Sequence, residues 1–579
     1  MEAATTLQRP ADERAVSSFA KSLFLGEIHE ELVFPYPEPD PGEQDRIRAL
    51  LAALRELPYD PRQVEEEGWI GDATIRELGD RGLMGLYVPE EYGGQGLSQT
   101  GYCRVSEAFA QIDPTLSVVM GVHQSIGMKG IVMFGSDEQK ARLLPDLAAG
   151  RRLAAFALTE PNAGSDVNGM ETRAERQADG SWRLDGFKHY IGNGSKAGVL
   201  VTFAVTGEGR HTAFIVESEM DGFEVGSRFD TLGLRGNDLR ELRFNGVRVP
   251  PENVLGEPGE GFKIAMHVLN NGRLSLGTGS VGGAKVMLDL AIDHVKERRQ
   301  FGMPLADFEL VQDKIGWMVS YLFGLESMAY LSTGLVDRGV PDYSLESAIC
   351  KVAGTEFLWY QANRALQLAG GAGYMRDRPY EKVLRDIRIF PIFEGANDVM
   401  RAFIALAGMK PLGDELKELG GMSLADPIGS IGVLADYVAG RIAREVRSDR
   451  ITRAHSELRA PADAVSEQVK RLRSVTEGLL KEHRRAIAER QFHQKRLADA
   501  VADIYGQIAV LSRATAIFED QGVETSGQEY YIAQTFCRRS AARVTLNLDQ
   551  VEANDDERMV AIAKLALKRG EYGYALFDD

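Results

Sequence analysis

The spacing of apolar positions changes character twice along the chain. From about residue 46 to 150 it is helical, with Ile47, Leu50, Leu51 and Leu54 on one face and Gly82, Gly93, Gly94 and Gly96 punctuating the connections. From 151 to about 257 it predicts strands at Leu153–Leu158, Trp182–Phe187, Val199–Val205, Thr212–Val216 and Leu239–Val249, with turns at Asp179-Gly180 and Asn245-Gly246. No helical pattern is interleaved with these strands, so they read as an antiparallel sheet and not a doubly wound one. Helical spacing returns over 258–412. Residues 413–458 read as a linker, glycine-rich and then basic, and 459–579 are helical again. Residues 1–45 read as an irregular tail that ends in Phe34-Pro35-Tyr36-Pro37-Glu38-Pro39 and docks its large apolar side chains on the body. The expected fold class is α+β, mostly α: an N-terminal helical domain, a middle antiparallel β-domain, a helical bundle and a C-terminal helical domain.

Composition narrows the chemistry. With 579 residues the chain exceeds one hydrophobic core. A net charge of −18 argues against a nucleic-acid partner, since phosphate demands a basic surface. The three cysteines, Cys103, Cys350 and Cys537, lie far apart, which excludes a disulfide scaffold and points to idle thiols in a reducing compartment. The nine histidines show no HxxxH or HExxH spacing, so no metal site is expected. The acidic N-terminus has no secretory pattern, and no run of 18 apolar residues is present to span a membrane. An intracellular protein, soluble or peripheral, is expected.

One carboxylate stands out. Glu394 follows the apolar run Ile389-Phe390-Pro391-Ile392-Phe393 and precedes Gly395, with Asn397 placed to cap the next helix. Burial would raise its pKa toward the range of a general base. Taken alone, the stretch favours a first-turn Glu stabilised by the helix dipole over a general base. Other stretches carry polar and glycine residues suited to a phosphate-bearing ligand: Leu158-Thr159-Glu160-Pro161-Asn162-Ala163-Gly164-Ser165-Asp166, Lys188-His189-Tyr190-Ile191-Gly192-Asn193-Gly194, Arg298-Arg299-Gln300-Phe301-Gly302 and Gln367-Leu368-Ala369-Gly370-Gly371. None belongs to a strand–turn–helix unit, which excludes a Rossmann-type site.

The order of these stretches, together with His123-Gln124-Ser125-Ile126-Gly127, Gly246-Val247-Arg248-Val249-Pro250, Glu252-Asn253-Val254-Leu255-Gly256, Leu269-Asn270-Asn271-Gly272-Arg273 and Ile392-Phe393-Glu394-Gly395, resembles the acyl-CoA dehydrogenase family. Its very-long-chain members, which carry a C-terminal helical extension, are the most similar, and the likeness covers nearly the whole chain. The resemblance implies a four-helix bundle over 258–412, FAD between bundle and β-domain, and α,β-dehydrogenation of a long- or very-long-chain fatty acyl-CoA to the trans-2-enoyl-CoA in fatty acid β-oxidation. Glu394 would be the base, and electrons would pass to an electron-transferring flavoprotein. It further implies that Leu158, Thr159, Ser165, Tyr190, Gly192, Arg298, Gln300, Phe301 and Ala396 bind FAD. Gln367, Gly370 and Gly371 would reach the FAD of a neighbouring subunit, making a homodimer. Ser165, Arg273 and Gly395 would contact the acyl-CoA. Ser117 and Gly121, four apart on one helical face, fit close helix–helix packing first, and alternatively the end of a cavity for a long ligand.

Two positions depart from the family pattern. Gly192 stands where a Thr or Ser usually bonds the flavin, and Ala396 replaces a common Thr; each lost hydroxyl would cost on the order of 1 kcal/mol of FAD binding. These departures keep a non-catalytic assembly or binding protein open as an alternative, beside an acyl-CoA oxidase using O2. Finally, Ile428, Ile431, Leu434, Val438, Ile442 and Val446 share a helical face, with Arg441, Arg444, Arg447 and Arg450 toward its end. Residues 426–450 therefore read either as a peripheral membrane contact or as a packed helix with a basic rim. The corresponding location is the cytoplasm, with the first of these readings placing the protein on the inner face of the inner membrane (the matrix side in a eukaryote).

Overall fold

The computed structural model describes residues 18–207, 209–420 and 450–574. The stretch ahead of residue 46 is more regular than its prolines suggest. It forms α1 (Phe19–Phe24), a four-residue helical turn at Glu30–Val33, and the start of α2 (Pro41–Arg55), which Asp40 caps and Pro41 opens. Phe19, Ala20, Leu23 and Phe24 are buried. α3 (Gln99–Ile112) starts at Ser98, whose hydroxyl accepts from Gly101 N–H at 3.0 Å. α4 (Pro114–Gly121) starts at Asp113, whose carboxylate caps Thr115 N–H and also accepts from Tyr59 at 2.8 Å and Lys382 at 2.8 Å.

α4 runs directly into a widened π-helical segment, Val122–Met128, that contains the His123–Gly127 string. Such segments recur at functional sites because they re-aim side chains that a regular helix would bury. Here a Cβ on Gly127 would come within 2.6 Å of Val122 O and 2.8 Å of Ala154 Cβ, so glycine lets the segment lie directly on the sheet. His123 is fully buried: its Nδ1 accepts from Ala154 N–H at 3.0 Å, its Nε2 donates to Leu147 O at 3.1 Å, and burial pushes its pKa down to about 4. It is a neutral structural histidine. Pro114–Phe134 is long and on average apolar enough to cross a membrane, yet it is no unbroken apolar run, and 61% of its apolar window is buried in the protein.

The sheet contains β1 (Leu153–Ala157), β2 (Arg173–Arg176), β3 (Trp182–Ile191), β4 (Ala197–Thr206), β5 (Arg210–Glu217), β6 (Phe223–Arg228), β7 (Arg240–Val249) and β8 (Val254–Leu255), in the order β6-β7-β3-β2-β4-β5-β8 with β1 on β4. The antiparallel expectation holds for β2–β3, β3–β7, β6–β7, β4–β5 and β5–β8, while β1–β4 and the single β2–β4 contact are parallel. Asn245-Gly246 is not a turn but lies inside β7, opposite a register shift at Leu184/Asp185 where Gly246 takes φ 68° and donates to Asp185 at 2.8 Å.

Beyond the sheet come α5 (Gly261–Glu297), α6 (Glu309–Asp337), α7 (Ser344–Ala369), α8 (Tyr380–Ile387) and α9 (Asn397–Gly420). Over 37 residues α5 carries a string of buried glycines; side chains at Gly277 and Gly282 would strike Cys350 and Glu107 O, so close helix packing explains their presence in a helix interior. The C-terminal region adds α10 (Arg459–His483), α11 (Gln491–Gln521), α12 (Gly527–Asp549) and α13 (Asp556–Arg569). Arg299-Gln300-Phe301 followed by Leu305-Ala306-Asp307 is echoed in sequence by Arg490-Gln491-Phe492 followed by Leu497-Ala498-Asp499, but the two share no structure: Leu305–Asp307 is a 3-10 turn and Leu497–Asp499 lies within α11. Nearly all of the proposed amphipathic segment 426–450 falls outside the described residues.

Candidate active site

A cavity of about 770 Å³ opens between α3–α4, the π segment, the ends of β1 and β3, and α5. Leu158, Thr159, Ser165, Tyr190, Gly192, Arg273, Ser117, Gly121, Glu394 and Gly395 all line it. The structure thus brings together ten of the residues singled out in the sequence. At one end Ser106, Ser117 and Gly121 face Leu276 and Gly279, and a Cβ on Gly279 would sit 3.4 Å from Ser117 Oγ. Small residues here lengthen the cavity.

Glu394 lies on the connection before α9, half-buried and facing the cavity. It takes φ 56° and Gly395 φ 92°, so two consecutive left-handed residues form the turn. For a non-glycine this conformation is unfavourable and persists only where the surroundings impose it. Phe390 and Phe393 supply the apolar wall, their rings stacked at 5.5 Å, whereas Ile392 points outward at 51% exposure. The whole Ile389–Phe393 run therefore does not enclose the carboxylate, as the sequence suggested; two of its rings do.

Glu394 Oε2 is buried with no hydrogen-bond partner. Desolvation pushes its pKa up to about 7 against the opposing pull of Arg273 and Lys351. Arg273 is itself buried: its Nε donates to Glu394 O at 3.2 Å and its Nη1 to Asn270 Oδ1 at 2.9 Å. Asn397 does not cap α9 through its side chain. Its amide instead joins Thr355 and Glu356 on α7, and Ala396 provides the first accepting carbonyl, to Met400 N–H.

The carboxylate has room because of Gly272, the α5 residue next to Arg273. A Cβ there would sit 2.9 Å from Glu394 Oε2 and 3.0 Å from Ile126 Cγ2. Gly272→Ala is expected to lower kcat by about 10²-fold through displacement of the carboxylate, with the cofactor retained. Steady-state kinetics alongside the visible spectrum checks this. Unchanged kcat would show that the carboxylate accommodates a methyl group.

The walls near β1 and β3 suit a planar, phosphate-bearing group. Lys188 and Glu160 form a buried ion pair at 2.7 Å, and Lys188 Nζ also donates to Leu158 O at 3.0 Å, fixing the Leu158–Thr159 strand end. Thr159 O accepts from His189 N–H at 2.9 Å. Tyr190 takes φ 58° and leaves its ring 57% exposed beside Phe229, 4.7 Å away. Asn237, on the loop that Asp386 anchors through Leu234 N–H at 2.6 Å, borders Gly192 with its Oδ1 buried and unpartnered. An exposed aromatic face, an unsatisfied buried amide oxygen and a glycine-lined wall fit FAD.

The remaining sequence-singled residues lie off this cavity. Arg298, Gln300 and Phe301 form an exposed hairpin after α5, with Phe301 at φ 52° and 94% exposed; Gln367, Gly370 and Gly371 are exposed at the end of α7. Ala396 sits at the start of α9 and does not line the cavity. Gly272, Asn237 and Lys351 were not singled out as site residues, and only the Leu269–Arg273 string drew attention to the first.

Family models for the acyl-CoA dehydrogenase N-terminal, middle and C-terminal domains match residues 42–151, 155–247 and 259–409, and one for the ACAD9/ACADV C-terminal domain matches 456–572. The mitochondrial very long-chain specific acyl-CoA dehydrogenase of Rattus norvegicus is 36% identical over 574 residues, spanning 96% of this chain and 87% of that protein. The crystal structure of an acyl-CoA dehydrogenase complexed with FAD from Bacillus anthracis aligns with a TM-score of 0.82 at 28% identity over 94% of each chain. A chain in a structure described as an electron transferring flavoprotein of Acidaminococcus fermentans aligns with a TM-score of 0.61 at 32% identity, covering 64% of this chain and 98% of that one. With its catalytic-type carboxylate, FAD-suited cavity and domain order all in register, the chain belongs to the acyl-CoA dehydrogenase family.

Proposed function

We propose that Glu394 is the base of an FAD-dependent fatty acyl-CoA dehydrogenase. The observation that carries the assignment is its carboxylate, desolvated at the cavity wall, with one oxygen unpaired. The protein is an FAD enzyme of fatty acyl-CoA oxidation. FAD held in the cavity would supply the acceptor for the substrate's β-hydrogen, which leaves as hydride. Glu394 takes the α-proton, and the electron pair of that C–H bond forms the double bond of the enoyl-CoA. An α-proton beside a thioester is weakly acidic, so a base with a raised pKa matches it better than an ordinary carboxylate. Phe390 and Phe393 keep water from the carboxylate, and Arg273 fixes the backbone that carries it. The small-residue stretch of wall at Ser117, Gly121 and Gly279 suits a long acyl chain.

The finer assignments are also proposals. Leu158, Thr159, Ser165, Tyr190 and Gly192 hold the flavin side of the cavity. The exposed Arg298–Phe301 hairpin and the Gln367–Gly371 turn suit an FAD site shared by two copies, hence a homodimer. An electron-transferring flavoprotein is the electron acceptor. The rat relative's name places that protein in mitochondria, and an inner-membrane location for this one rests on 426–450 alone.

Anaerobic titration with saturated acyl-CoAs of increasing chain length tests the function. Bleaching of the flavin that strengthens toward long chains is expected, and no bleaching at any length would overturn it. The pH dependence follows from the base. Glu394 acts only when ionised, so kcat/KM should rise with pH up to about 7 and level off above. A profile already flat from pH 5 would contradict the raised pKa.

A further inference from the structure

Behind the Glu394 turn lies a buried cation that does not line the cavity. Lys351, on α7, is fully buried. Its Nζ donates to Gly395 O at 2.8 Å and to Asn397 Oδ1 at 2.6 Å. Asn397 Nδ2 donates onward to Thr355 Oγ1 at 3.1 Å and Glu356 Oε1 at 3.1 Å, and Arg401 closes the network on Glu356 at 2.7 and 2.8 Å. The turn needs such a clamp: its two left-handed residues include one non-glycine, a conformation that persists only where the surroundings impose it. Arg273 holds the carbonyl of Glu394, and Lys351 holds that of Gly395.

We propose that Lys351 is a positioning residue for the reaction, whose ammonium clamps the Glu394–Gly395 turn and whose charge favours the ionised carboxylate. This rests on Glu394 being the base. The charged groups around the turn are Arg273 from α5, Lys351 and Glu356 from α7, and Arg401 from α9, which also pairs with Asp499 from α11 at 2.7 Å. Glu356 is neutralised by its two bonds to Arg401, which leaves Arg273 and Lys351 as the cations acting on Glu394. Burial pushes Lys351 down to about 7, so it and Glu394 titrate as a coupled pair.

The experiment uses FAD-loaded, full-length Lys351→Gln, Lys351→Met and Glu394→Gln. Lys351→Gln keeps a donor for Gly395 O but removes the charge, and Lys351→Met removes both. Losing a neighbouring cation raises a carboxyl pKa, so both Lys351 variants should move the acid limb of kcat/KM upward by about one pH unit. Lys351→Met should also lose about tenfold to a hundredfold in kcat at the alkaline plateau, with KM and the flavin spectrum little changed, and Lys351→Gln should recover most of that loss. Should Lys351→Met fail to fold, the acid limb of Lys351→Gln decides alone. An acid limb unmoved in Lys351→Gln overturns the proposal. A limb that persists in the residual activity of Glu394→Gln overturns the assignment of the base instead.

Discussion

Glu394→Gln is expected to lose roughly 10²–10⁴-fold in kcat while the bound flavin keeps its visible spectrum. The amide is nearly isosteric with the carboxylate, so the Phe390 and Phe393 wall and the bond from Arg273 to the main-chain carbonyl are retained. What disappears is the ability to take a proton at an oxygen that no protein group occupies. Rapid mixing with a long-chain acyl-CoA under anaerobic conditions reads the effect as slowed bleaching. Bleaching at the wild-type rate would place the base elsewhere.

The second large effect is on stability. Glu326, on α6, accepts from Lys285 Nζ at 2.6 Å, lies 2.8 Å from Arg513 Nη1 and 3.5 Å from Arg104 Nη1. Lys285 also donates to Glu107 at 2.6 Å, and the Tyr330 hydroxyl donates to Glu107 as well. Opposing burial, the three cations hold the Glu326 carboxyl down to about 2. Glu326→Leu would remove the carboxylate that Arg513 and Arg104 share and leave Lys285 with Glu107 alone. Removing one member of such a cluster typically costs about 3–5 kcal/mol, because a buried charge is left uncompensated. Denaturant unfolding should show the loss, and a variant within about 0.5 kcal/mol of wild type would mean the cluster is effectively solvated.

How far the sequence revealed the molecule depended on the range of the determinant. β1, β4 and β5 carry apolar runs buried on both faces, and their strand character is local. β2 and β6 are mostly polar and exposed, so they acquire strand structure only from the neighbours they pair with. Glu394 was visible because its rings and glycine adjoin it in the chain. Gly272 and Lys351 act on it across 122 and 43 residues, through a clearance and a carbonyl contact that no local pattern encodes. The Asn397 side chain was legible as a polar group at a helix start, but buried partners on α7 claimed it before the helix could. The Arg298–Phe301 and Gln367–Gly371 stretches resemble cofactor contacts, yet a single chain leaves them on its surface.

The Glu326 cluster draws its members from the N-terminal helices, the bundle and the C-terminal region: Arg104 and Glu107 from α3, Lys285 from α5, Glu326 and Tyr330 from α6, Arg513 from α11. Ser332 on α6 and Tyr505 on α11 share a further buried bond at 2.8 Å nearby. These contacts therefore tie together segments that the family models separate. A chain shortened after α9 would retain every residue of the cavity and still lose a partner of its central charge balance, so the C-terminal helices act as a keystone for a catalytic pocket that they never touch.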